Sequence, residues 1–258
     1  MIESKSRRVL LEVCIASVDD AKVAEAGGAD RLELNAALGL GGLTPSLGAL
    51  VEVRRAVRLP LIPMIRPRPG GFCYSTADFD VMRRDLDLAL EHGADGFAFG
   101  VLHESGEVDL ERCRILMGQA AGREAVFHRA FDVVPDPFRA LEQLIDLGVR
   151  RVMTSGQEET AYQGAALISR LIERAAGRIE ILPAGGINKF TLADVLERTD
   201  CDQVHASLRG SRPDPSTSAR PAVSFGGSFR PPEDRFDATD ASKVSDLRGR
   251  LDLSEGLR

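Results

Sequence analysis

Eight short apolar runs stand along the chain, and each of the first seven is followed by a stretch with helical spacing. No other feature constrains the fold as strongly. The strand-like runs fall at about 9–14, 30–35, 61–65, 96–102, 125–128, 151–154, 179–182 and 203–206. A helix is expected between each consecutive pair; in the third, Phe79, Met82, Leu86 and Leu90 recur on one face. Strict alternation implies parallel strands joined by right-handed crossovers. Eight such units close into a barrel, so the fold class is α/β, a single TIM-type (β/α)8 barrel. The rival is an open doubly wound sheet, but no Gly-x-Gly-x-x-Gly follows the first strand. The barrel is expected over residues 1–209. Residues 210–258 read as a C-terminal tail, an irregular Ser/Pro/Gly-rich segment without strand or helix period and then a closing helix. That helix carries Val244, Leu247 and Leu251 on one side.

The net charge of −6 argues against nucleic acid or an anionic membrane as the main partner. No apolar run approaches membrane-spanning length, and Met1 to Arg8 is not followed by a signal-type apolar region. A cytoplasmic location is expected. Cys14, Cys73, Cys113 and Cys201 are widely spread without a Cys-x-x-Cys pair, which suits reduced thiols.

Strand side chains alternate, so parity says which residues enter the barrel. Packing Leu11, Val13, Leu32, Leu34 and Val204 against the helices turns Glu12, Cys14, Glu33, Asn35, Gln203 and His205 inward. Strand five sends His128 inward and runs into Arg129 and Asp132, and Arg66 ends strand three. A barrel interior is normally filled by Val, Ile and Leu. Buried charges survive there only if they pair or bind something. The bland reading is a salt-bridge network; the functional one is a ligand site at the carboxyl-end mouth.

Taken in order, several strand-end motifs resemble those of the CutC family, named for copper homeostasis. They are Leu11-Glu12-Val13-Cys14, Gly28 to Leu34, Gly42-Leu43-Thr44-Pro45-Ser46, Ile65-Arg66-Pro67-Arg68, Phe127 to Asp132 and Thr154-Ser155-Gly156-Gln157. The resemblance covers about residues 9–209. It implies a barrel, a cytoplasmic homo-oligomer (dimer or tetramer) and a role in handling copper. Many members carry a second Cys after the Glu-Leu of strand two, where this chain has Asn35. A thiolate pair from strands one and two is therefore unavailable, which leaves Cys14 and His205 as ligands for Cu(I), with Glu33 beside them.

Two functional readings follow. The first is a copper-binding or copper-handling protein, with no organic cofactor. The second is a barrel enzyme of isomerase or lyase type acting on a small anionic or phosphorylated substrate. In it Arg66, Arg68 and Arg129 would hold the anion, assisted by Ser155 and the Gly185-Gly186 amides. Glu12, Glu33, His128, Asp132 and His205 would supply acid–base chemistry. No lysine stands at a strand end, which disfavours Schiff-base chemistry.

Overall fold

In the computed structural model, which describes residues 8–226 and 231–255, the expected alternation is realised. Residues 1–7, 227–230 and 256–258, parts of the expected barrel and tail, lie outside the described residues. The strands of the ring are β1 Leu10–Ile15, β2 Arg31–Leu34, β3 Leu61–Pro63, β4 Gly96–Phe99, β5 Glu124–Phe127, β6 Arg151–Thr154, β7 Glu180–Pro183 and β8 Gln203–Ala206. Between them lie α1 Val18–Ala26, α2 Leu47–Ala56, α3 Thr76–Glu91, α4 Leu110–Ala120, α5 Pro137–Asp146, α6 Ala165–Ala175 and α7 Leu192–Thr199.

Local chemistry sets these boundaries. The side chains of Ser17, Ser46, Ser75, Asp109 and Asp136 each accept a hydrogen bond from a first-turn N–H of the following helix, and Ser75 with Asp78 completes a capping box. Each such cap contributes on the order of 1 kcal/mol.

All strand pairs of the ring are parallel and follow chain order. One sheet runs β3-β2-β1-β8 and the other β4-β5-β6-β7. A parallel bridge between Met64 and Ala98 joins β3 to β4. On the far side β7 lies beside β8, and Gln203 Nε2 donates to Glu180 Oε2 across the seam at 3.2 Å.

Two apolar cores result. The larger fills the space between strands and helices and includes Leu11, Val13, Leu32, Leu34, Phe99 and Phe127. The smaller lies inside the ring and consists of Ile62, Met64, Ala98, Val126, Met153, Leu182 and Ala184, all from β3 to β7 or the residue after a strand. Opposite it, β8, β1 and β2 turn Gln203, His205, Glu12, Cys14, Arg31, Glu33 and Asn35 inward, as alternation requires. The interior is thus half apolar and half polar, and that asymmetry positions the site.

The segment after β8 departs from the irregular tail expected of it. Strand β9, Arg209–Pro213, pairs antiparallel with β10, Arg235–Thr239, and Asp214 caps a 3-10 turn at Pro215–Thr217. The strands escape notice in the sequence because most of their residues are exposed, so no apolar alternation is imposed on them. Asp20 pins the ribbon's end to the barrel, its Oδ1 accepting from Thr239 N–H at 2.6 Å.

Helix α8, Ala241–Glu255, then occupies the eighth helical position beside α1. Its Val244, Leu247 and Leu251 are fully buried. The helix comes so close that a Cβ on Gly27 would stand 2.4 Å from Val244 Cγ1.

Candidate functional site

The polar half of the interior is a continuous chain of partners. Register places Glu12 beside Arg31 on one neighbour and beside His205 on the other, and Cys14 beside Glu33. Arg31 Nε donates to Glu12 Oε2, and Arg31 Nη2 to Gln203 Oε1 at 2.9 Å. Gln203 Oε1 also accepts from Arg151 Nε at 3.0 Å, and Arg151 pairs with Glu180 at 2.8 Å. These groups close the amino-terminal end of the barrel.

Glu12 links that floor to the mouth, because its Oε1 lies 2.7 Å from His205 Nδ1. Beyond it, His205 Nε2 stands 3.9 Å from Glu33 Oε2. Asn35 Nδ2 donates to Glu33 Oε2 at 2.8 Å and to Cys14 Sγ at 3.3 Å. One donor atom each from Cys14, Glu33 and His205 lies within 4.8 Å of the others, a spacing that one metal ion can span. Three strands brought together by the ring build this cluster, so no local His-x-His or Cys-x-x-Cys spacing announces it.

Proton affinities follow from these contacts. Burial alone would raise the Glu12 carboxyl, but Arg31 and then His205 outweigh it and hold Glu12 well below the usual carboxylate range. Burial pulls His205 down, yet the carboxylates of Glu33 and Glu12 lift it above an ordinary imidazole. Glu12 and His205 thus each favour the other's charged form. Burial, reinforced by Glu12, raises Glu33. Burial and the nearby Glu33 push the Cys14 thiol well up, so it holds its proton.

The remaining expected residues fall into separate groups. His128 and Arg66 form a second buried cluster around Phe72: the His128 ring centroid is 5.1 Å from that of Phe72, and the Arg66 guanidinium sits 5.1 Å over the Phe72 ring. Arg66 Nη1 and Nη2 donate to the carbonyls of Gly42 and Gly70 at 2.9 and 2.7 Å, so the side chain ties two mouth loops together. His128 Nδ1 accepts from Ala130 N–H at 3.1 Å, which leaves its proton on Nε2, a buried atom without a partner among the described residues. Burial and then Arg66 push His128 down to about 3, so it stays neutral.

Asp132 organises a third group. Its oxygens accept from Arg129 Nε at 2.7 Å, Thr154 Oγ1 at 2.5 Å and Ser155 N–H at 2.9 Å. Arg68 stands apart, paired with Asp78 at 2.9 Å and donating to the Cys73 carbonyl at 2.7 Å. The five groups Glu12, Glu33, Arg66, His128 and His205 are therefore all sheltered from solvent, but their contacts divide them into two clusters.

Sequence reasoning passed over Arg31 and Arg151, although the parity that turned Glu33 inward turns Arg31 inward as well. It also passed over Lys189, Arg209 and Lys243. With Arg129, Gly185, Gly186 and His205, these line a cavity of about 650 Å³ at the mouth.

The fold and site thus define a parallel (β/α)8 barrel whose mouth holds a thiol, a carboxylate and an imidazole in one cluster. Residues 9–210 match the model of the CutC family, and the chain belongs to that family. It is 46% identical over 239 residues to a CutC family protein of Treponema denticola, covering 93% of this chain and 97% of that one. It is 45% identical over 238 residues to a human protein named copper homeostasis protein cutC homolog, covering 92% of this chain and 87% of that one. The crystal structure of CutC from Streptococcus agalactiae superposes with a TM-score of 0.73 at 31% identity, covering 76% of this chain and 97% of that one.

Proposed function

We propose that this protein handles copper, taking up Cu(I) as cargo at Cys14 and His205 with Glu33 as a third, charge-balancing donor. The observation that carries the reading is the cluster itself, three potential ligand atoms within 4.8 Å of one another inside the barrel. Glu33 Oε1 is buried without a hydrogen-bond partner among the described residues, as a group with remaining coordination capacity would be. Thiolate and imidazole suit a soft cation, and the names of the relatives point the same way.

The surrounding groups prepare the ligands. Glu12 takes the Nδ1 side of His205, which fixes the ring and leaves Nε2, the nitrogen nearer Glu33, for an ion. The Cys14 thiol holds its proton at neutral pH, so uptake of the ion releases it. Asn35 contributes a hydrogen bond to Cys14 Sγ where a second sulfur would bind more tightly.

The cysteines Cys14, Cys73, Cys113 and Cys201 are all free, in keeping with a reducing, cytoplasmic setting. Among the described residues no helix is long and apolar enough to cross a membrane.

A Cu(I) titration against a competing chelator tests the proposal. Wild type is expected to hold one ion per chain, and Cys14→Ala to lose it. Equal, weak binding by both proteins would remove the copper reading.

One observation favours a second reading, an isomerase- or lyase-type enzyme. His205, held by Glu12, forms part of the wall of the large mouth cavity and could exchange a proton with a molecule bound there.

A further inference from the structure

The mouth cavity adjoins the ion cluster at His205 and has further chemistry of its own. Its charged lining comprises Arg129, Lys189, Arg209 and Lys243 against Asp246; Arg129 is paired with Asp132 and Arg209 lies 3.7 Å from Asp20. In a chain of net charge −6, this gathers four cationic side chains in one concavity, where field lines are focused. One wall is the loop after β7. Gly185 and Gly186 adopt φ of +94° and +70°, a conformation that side chains resist. Among the described residues, the N–H groups of Gly185, Gly186, Ile187 and Lys189 donate to no protein acceptor. Unfilled donors beside cations are a match for a multiply charged oxyanion.

The rest of the cavity suits an organic body. Met153, Ala184 and Ile187 give it apolar surface, and the Phe190 ring lies at its rim, 80% exposed. Lys189 Nζ sits 5.2 Å from that ring, and Arg129 reaches towards Gly185 from the opposite loop. A volume of about 650 Å³ takes a small metabolite rather than a bare ion.

We propose that this cavity binds a small organic phosphate monoester. Its phosphate lies against the Gly185–Gly186 loop, Lys189 and Arg129, and its carbon skeleton extends over Met153 towards His205. The site stands whether or not the neighbouring cluster takes up an ion. It also supplies the substrate class that the enzymatic reading needs, and for that role it rests on that reading.

The test is calorimetric titration, with ³¹P line broadening, of the full chain with glycerol phosphate, inorganic phosphate and glycerol. Saturable binding of one glycerol phosphate per chain is expected, with weaker binding of inorganic phosphate and none of glycerol. Loss of each charged contact should weaken the monoester about tenfold or more. Lys189→Ala and Arg129→Gln should both show this, whereas Lys22→Ala, exposed on α1 and absent from the cavity lining, should not.

Arg129 also braces Asp132, so if Arg129→Gln fails to fold, the exposed Lys189→Ala with Lys243→Ala carries the result. Cys14→Ala should keep its phosphate affinity, which separates this site from the copper site. Absence of saturable binding, or binding indifferent to the Lys189 variants, overturns the assignment.

Discussion

Replacing Arg31 by methionine should be among the most costly single changes in the molecule. Arg31 and Glu12 are nearly inaccessible to water, at 7% and 1% side-chain exposure. Methionine fills most of the volume but leaves the Glu12 carboxylate with His205 as its one close counter-charge. Breaking a buried pair in this way costs roughly 3–5 kcal/mol. At about 2–4 °C per kcal/mol for a chain of this size class, the melting temperature should fall by roughly 6–20 °C.

The pH dependence follows from the same contact. Glu12 is held below its ordinary value, so its contribution is present above about pH 4.3 and is lost as pH falls through the lower folded-state value. Without Arg31 that loss moves to higher pH. A surface pair supplies the control. Arg55 and Glu52 are 2.7 Å apart but 72% and 58% exposed, and Arg55→Met should change stability by no more than about 0.5 kcal/mol.

Urea denaturation and calorimetry at pH 7 measure both variants, together with the double variant Arg31→Met/Glu12→Gln. Removing both charges should recover much of the loss. If Arg31→Met stays within about 0.5 kcal/mol of wild type, or the double variant is no better than the single, the reasoning about the buried pair fails.

Three further outcomes are expected. His128 is neutral in the fold with its value pushed from 6.5 to about 3, so folding loses up to roughly 4–5 kcal/mol as pH falls through that interval. His128→Gln should flatten this acid limb in pH-dependent denaturation, and an unchanged limb would count against it. Asn35→Cys puts a second thiol beside Cys14, where the amide nitrogen now lies 3.3 Å from Sγ, and should raise Cu(I) affinity about tenfold or more in chelator competition. Leu247→Ala should destabilise by roughly 2–5 kcal/mol in urea, because Leu247 is fully buried where α8 closes the ring; a change under about 1 kcal/mol would show α8 to be dispensable.

The ring was legible because each strand and helix signals itself locally, and Asp136 before Pro137 is a clear case. Parity carried Glu12, Cys14, Glu33, Asn35 and His205 into the interior, since each sits between residues that must face the helices. The same rule applied two residues earlier finds Arg31, whose burial is hidden only by the habit of reading arginine as exposed.

Partner choice was not legible. Asp132 and Ser155 are 23 residues apart, and only the fold shows that Asp132 accepts from the Ser155 N–H. The β9–β10 ribbon left no trace because a two-stranded element with both faces wet needs no apolar pattern. Lys189, Arg209 and Lys243 come from three separate segments, so their convergence on one cavity is a property of the closed ring alone.

The central claim is that the barrel mouth builds one soft-metal site from Cys14 and His205. X-ray absorption at the copper edge of Cu(I)-loaded protein measures it directly. One sulfur and one imidazole in the first coordination sphere, with the sulfur lost in Cys14→Ala and the imidazole lost in His205→Ala, is the expected result. A copper spectrum unchanged by both substitutions would contradict it.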